Sequence, residues 1–191
     1  MPSWVVPVII IVVVVLLIII IAAWAISTRN KFVEMRNSTE EAFATIDIYL
    51  KKRYDLIPNL VETAKGYAKY ESQTLENVIR ARNNAVSAST TAQKIEADAN
   101  LSHAIKSFNV VAERYPELKA NANFQSLMSE LRSIESELAN ARKYYNAMVK
   151  NFNTKKDIFP KSIIANRMKL EKFPYFELES AEEKKNIKVS F

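Results

Sequence analysis

The chain of 191 residues has no cysteine, one glycine (Gly66) and one histidine (His103). Each shortage removes a class of chemistry. Without Cys there is no disulfide, thiolate zinc site or cysteine nucleophile. Rossmann and Walker phosphate loops each need at least two glycines, so neither can be built. A single His rules out paired-His metal sites and HExxH. No metal and no cofactor are expected. His103 follows Ser102, but no second His or triad pattern supports it as a catalytic base.

Charge is also missing from one region. Residues 1–28 carry none, and 23 of those 28 are hydrophobic. All 27 Lys+Arg and all 21 Asp+Glu fall in the remainder, where they leave a net charge of +6. The overall 49% hydrophobic content therefore averages a lipid-soluble head with a charged body.

Val8 to Ile26 is an unbroken apolar run of 19 residues. As a helix it would span about 28 Å, close to the hydrocarbon thickness of a bilayer. A strand of Val and Ile would leave its backbone unpaired in lipid, whereas a helix satisfies itself. The only tryptophans, Trp4 and Trp24, bracket the run at about 30 Å of helix, where interfacial rings belong. Pro7 suits a first turn. A cleaved signal peptide would have a basic start and a shorter apolar region. Residues 1–7 have no Lys or Arg, so Ala23-Trp24-Ala25 is read as part of a retained anchor. Arg29, Lys31 and Arg36 follow the span. The positive-inside rule then places the body in the cytoplasm and the short N-tail outside. Trp4, Trp24, Arg29 and Lys31 are the expected membrane-interface residues.

The body reads as helix, with Gly and Pro scarce and Ala, Glu, Lys and Leu common. Phe124, Leu127, Leu131, Ile134, Leu138, Ala141, Tyr145, Met148 and Phe152 recur at spacings of 3 and 4, a coiled-coil-like seam. Glu130, Arg132, Glu135, Glu137 and Arg142 are read as its solvated face. A shorter seam runs Leu101, Ile105, Phe108, Ala112 and Tyr115, up to Pro116. Ser87 to Thr91 is a turn. Upstream, Ile57, Val61, Ala64, Ala68, Leu75, Val78 and Ala85 form a third seam, with Glu71 and Arg82 as polar breaks. Met35, Ala42, Phe43, Ile46, Tyr49 and Leu50 mark a fourth. Between the last two, Asp55 can cap a new helix with Pro58 in its first turn.

The expected fold is all-α: an N-terminal transmembrane helix (about 4–26) and an antiparallel up-down four-helix bundle over 29–153, completed by a C-terminal strap. The bundle helices fall near 30–54, 56–87, 92–115 and 117–153. No Pro or Gly interrupts residues 8–53, so the anchor would run into the first bundle helix, with Ser27-Thr28 the favoured break. Residues 154–191 form the strap, with a short helix over Lys161 to Leu170 and a charged tail.

Two groups are singled out. Asp47, Lys51, Arg53, Asp55 and Pro58 would fix a hairpin at the bundle end farther from the membrane. The rival role for this cluster is a polar docking site. Lys161, Arg167, Lys169, Lys172, Phe173 and Phe176 could touch anionic lipid or a partner; packing of the strap on the bundle is the favoured alternative. Tyr144-Tyr145-Asn146 is read as core packing. No stripe combines stacking aromatics with a basic groove, so no nucleic acid is expected as partner, and no small-molecule substrate either.

The segment Ile46-Asp47-Ile48-Tyr49-Leu50-Lys51-Lys52-Arg53-Tyr54-Asp55-Leu56-Ile57-Pro58-Asn59-Leu60-Val61 resembles the signature of the bacterial LemA family. Tyr115-Pro116-Glu117-Leu118-Lys119-Ala120 with Asn123-Phe124, Ala141-Arg142-Lys143-Tyr144-Tyr145-Asn146, and Phe159-Pro160 with Phe173 and Phe176 agree in order and spacing. The chain departs at Leu170-Glu171-Lys172, where LemA-like chains often carry Gly. The resemblance implies a cytoplasmic-membrane protein with a four-helix domain and no known catalytic activity. It also implies association, in one branch, with building the magnetosome membrane, and genes adjacent to membrane-bound metalloproteases. The expected function is a non-enzymatic, membrane-anchored helical scaffold that self-associates and organises or shapes membrane. The alternative is an adaptor or regulator of a membrane-bound protease. Membrane lipid, further copies of the chain and, in the alternative, such a protease are the expected partners.

Overall fold

The computed structural model describes residues 4–67 and 71–176. The charged tail beyond 176, Ala68 and the first three residues lie outside them. The described residues are all-helical: α1 (Val5–Lys65), α2 (Ser72–Ser87), α3 (Thr91–Ala112), α4 (Pro116–Ala120), α5 (Ala122–Asp157) and α6 (Lys161–Arg167).

α1 opens with an apolar window long enough to cross a membrane, none of it buried. It continues unbroken through Ser27-Thr28, and also through Tyr54–Pro58, where a hairpin is expected from the sequence. This corrects the first boundary. The helices expected over 30–54 and 56–87 do not meet at residue 55; α1 runs on to Lys65, and Gly66 and Tyr67 form the turn. Proline inside a helix removes the bond to the carbonyl four residues back. For Pro58 that carbonyl belongs to Tyr54, and Arg82 Nε from α2 donates to it at 3.2 Å. A long-range side chain thus supplies the missing donor.

The turn at 87–91 occurs as expected. Thr90 caps α3 by accepting from the Gln93 amide, and the Gln93 side chain accepts from the Thr90 amide. Pro116 opens α4. The single helix expected over 117–153 is divided, because Asn121 Oδ1 accepts from the Phe124 amide at 3.0 Å and starts α5 afresh. Along α5 the buried seam is Phe124, Met128, Leu131, Ile134, Leu138, Tyr145, Val149 and Phe152. It matches the expected seam except that Met128, Arg142 and Val149 are buried in place of Leu127, Ala141 and Met148.

The chain divides into two compact units. One takes the residues up to Glu41 together with Ala147–Phe173. Its core is Phe32, Met35, Phe152 and Ala165, with Ile164, Met168, Leu170 and Phe173 packed around it. Phe152 meets Phe32 edge-on at 6.1 Å and Phe173 at 4.9 Å between ring centroids. The other takes, among the described residues, Ala42–Asn146 and Pro174 to Phe176. Its fully buried side chains include Ile46, Leu50, Ile57 and Leu60 of α1, Val78 of α2, Leu101 and Phe108 of α3, Leu118 of α4, and Leu138 and Tyr145 of α5.

α6 ends in a left-handed residue, Lys169, at φ 52°. The Leu170 amide reaches back to the Ala165 carbonyl at 3.1 Å, closing a Schellman turn. Glycine is the usual residue at such a position, and here it is Lys169, one residue before the departure from the family pattern at Leu170-Glu171-Lys172.

Two outcomes follow for stability. Arg82→Met should cost about 1 kcal/mol in the native background and less in Pro58→Ala, where residue 58 again donates to Tyr54. Chemical denaturation followed by circular dichroism reads this cycle; equal costs would mean that Arg82 does not replace the lost bond. Lys169→Gly should stabilise the chain by about 1 kcal/mol by relieving the left-handed backbone, and an unchanged or lower midpoint would contradict it.

Candidate functional site

The residues expected at the membrane interface all lie on α1, exposed: Trp4, Trp24, Arg29 and Lys31. Lys31 pairs with Glu34 at 2.8 Å on the helix surface, an exposed pair worth little to stability. Beyond Trp24 an open groove of about 870 Å³ runs along α1. Ala23, Trp24, Ile26, Phe32 and Met35 are its apolar lining, and the Lys31–Glu34 pair of α1, Lys155 of α5 and Lys161 of α6 are its charged lining.

The second unit holds a buried ion network. Arg53 Nη1 of α1 donates to Asp98 Oδ1 of α3 at 2.8 Å and to Ser102 Oγ at 3.1 Å. Arg142 Nη2 of α5 donates to the other Asp98 oxygen at 2.5 Å. Glu135 closes the circuit, 3.1 Å from Arg142 Nη1 and 3.3 Å from Arg53 Nη2. The side chains of Arg53, Asp98 and Arg142 are only 3%, 2% and 7% exposed. Two positive and two negative charges balance, which is what lets them leave water. Burial pushes the Asp98 carboxyl above the ordinary aspartate range, and the two guanidiniums oppose that rise. Both Asp98 oxygens accept from arginine, so the carboxylate is committed to joining three helices. The Tyr54 hydroxyl is buried nearby, its pKa raised chiefly by desolvation.

Arg142 and Glu135 correct the reading of a solvated face: the first is buried and the second half-buried. A signal was present in the sequence. Asp98 lies three residues before Leu101, Arg142 fills the step between Leu138 and Tyr145, and Arg53 fills that between Leu50 and Ile57. A charge on an apolar seam marks a buried partner.

The five residues expected at a hairpin are distributed differently. Asp47 pairs with Lys94 of α3 at 2.5 Å rather than with Lys51. Asp47, Lys51 and Asp55 border a hollow of about 400 Å³ with Lys94 and Arg82. Asp55 caps no helix, since it lies within α1. Arg53 belongs to the buried network, and Pro58 is exposed.

The C-terminal group also separates. Asn153 brackets Phe173, donating to its carbonyl at 2.9 Å and accepting from its amide at 3.1 Å. Asn146 does the same for Phe176, at 2.9 and 2.8 Å. Tyr145 donates to the Pro174 carbonyl at 2.9 Å, and burial pushes its phenol up to about 12. The Arg142 guanidinium lies 4.8 Å from the Phe176 ring centroid, a cation–π contact. Phe173, half-buried, and Phe176, buried, are therefore packed on the chain itself, as in the favoured alternative. Lys172 pairs with Asp157 at 2.6 Å. Lys161 is half-buried at the groove, and Arg167 and Lys169 are exposed. Sequence reasoning missed the asparagine brackets; Asn146 and Asn153 are one heptad apart on α5, the spacing that repeats a contact along one helix face.

The model of the LemA family matches residues 42–191. The chain is also similar to a protein named Protein LemA from Metamycoplasma hominis, 21% identical over 158 residues, which cover 82% of this chain and 72% of that protein.

The network makes a paired prediction. Asp98→Asn leaves two buried guanidiniums short of a counter-charge and should cost about 3–5 kcal/mol. Replacing Arg53, Asp98 and Arg142 together by Met, Leu and Met should cost far less or stabilise. Thermal melts of the three proteins decide it; a triple variant as unstable as Asp98→Asn would contradict this account of the network.

Proposed function

The chain belongs to the LemA family, and on that premise we propose that it is a non-enzymatic membrane-anchored helical scaffold that self-associates and organises or shapes the membrane. The observation that carries the reading is the start of α1, an apolar window with no side chain buried. Such a surface is stable only where lipid or another apolar helix covers it. Arg29, Lys31 and Arg36 after the span and none in residues 1–7 support a bacterial cytoplasmic membrane with the body on the inner side.

The body is proposed to be an antiparallel bundle built on the second unit. Phe43, Tyr49 and Arg53 of α1 meet Tyr145, Glu137 and Glu135 of α5, one series rising as the other falls. Asp47 and Arg53 meet Lys94 and Asp98 of α3, both rising. These pairings support α5 against α1 and α3 alongside it. The bond from Arg82 to the Tyr54 carbonyl supports α2 beside α1.

Self-association would use the Val and Ile surface of the span or the bundle flanks, since no GxxxG pair exists in it. Cross-linking and blue-native electrophoresis in mild detergent at native expression should show discrete species larger than one chain. A strict monomer would defeat the scaffold reading, and stoichiometric recovery of a membrane protease would replace it with the adaptor.

A further inference from the structure

Three large apolar side chains stand out from the corner between α5 and α6. Ile158 is 52% exposed, Phe159 77% and Ile163 55%. Phe159 is more exposed than any described large apolar side chain of the span. Clustered exposed apolar side chains mark a surface that meets something other than water. Basic side chains flank them: Lys155 and Lys156 before, Lys161 after. Lys156 and Lys172 both pair with Asp157. Lys155 and Lys161 have no ion pair among the described residues.

The occupant follows from where the corner lies within its unit. Lys155 and Lys161 line the same groove as Ala23 and Trp24, which end the apolar span of α1. The corner thus sits beside the level of α1 at which the headgroups of a bilayer fall, one span of about 30 Å after Trp4. Apolar tips ringed by lysine there match the chemistry of an interfacial anchor, with rings and aliphatic chains at the acyl boundary and ammonium groups among phosphates.

The geometry points to the α5–α6 corner as a second lipid contact, in which Ile158, Phe159 and Ile163 enter the leaflet from which α1 emerges. Lys155 and Lys161 hold the phosphates of anionic phospholipid at the groove. The inference rests on the reading of α1 as a membrane anchor. It gives the basic C-terminal segment a divided role: Phe173 and Phe176 bind the strap to the protein, and the corner binds the bilayer.

The absence of cysteine allows a clean test. Ile18→Cys, Phe159→Cys and Asn37→Cys each carry one environment-sensitive label in the full chain. The chains are reconstituted in vesicles of equal parts phosphatidylglycerol and phosphatidylcholine. Lipids brominated on the acyl chain should quench the Ile18 and Phe159 labels, and aqueous iodide should quench the Asn37 label. A Phe159 label that behaves like Asn37 while Ile18 stays in lipid overturns the corner contact and spares the anchor. An Ile18 label quenched by iodide overturns both. Energy transfer between Phe159 labels in place of bromolipid quenching overturns the lipid contact in favour of a second copy. Phosphatidylcholine-only vesicles, or Lys155→Gln with Lys161→Gln, should each reduce quenching of the Phe159 label; quenching unchanged by both overturns the headgroup assignment.

Discussion

One carboxylate constrains the second unit more than any apolar contact does. Asp98 is buried, and its two oxygens are taken by arginines from two other helices. An apolar seam tolerates a partner helix that slides or turns, because one leucine can replace another. A buried charge does not: a slip of one residue turns a helix by about 100° and leaves a guanidinium without its acid. α1, α3 and α5 are thereby held to one register. The same logic holds at the single internal proline, where Arg82 fits only if α2 lies beside the Tyr54 carbonyl. Both devices use arginine, whose fork can reach an oxygen across a helix pair and stay charged while buried.

The seams were readable because burial follows a spacing of 3 and 4, and Leu131, Ile134, Leu138, Tyr145 and Phe152 are buried as that spacing requires. What stayed hidden depends on partners remote in sequence. Pro58 signals a helix break locally, and only Arg82, distant in the chain, reverses that signal. Arg142 looks like surface until Asp98 is placed beside it. Asn121 was legible in principle as a cap, but the strong seam after it drew the helix start back to Glu117. The aromatic pair Phe173 and Phe176 reads equally well as lipid-facing or packed, and the brackets from Asn153 and Asn146 decide for packing.

The proposed function rests on surfaces. The apolar opening of α1 is one. The lysine-edged groove next to Trp24 is another, and the corner at Phe159 a third. All three belong to the same compact unit, and lipid suits the chemistry of each. The other unit supplies a body fixed by its internal charges, the kind of rigid element on which self-association or docking can be built. Three basic residues just after the span, in a chain with net charge +6, agree with the proposed placement of that body at an anionic inner leaflet.

The central claim is that α1 anchors the chain with its charged body on the cytoplasmic side. Protease accessibility tests it most directly. In intact spheroplasts the body should resist added protease, and in inverted membrane vesicles it should be cut, with the turn at Ser87 to Thr91 an exposed site. Cleavage of the body from outside intact spheroplasts, or its release into the soluble fraction by alkaline carbonate, would contradict the account.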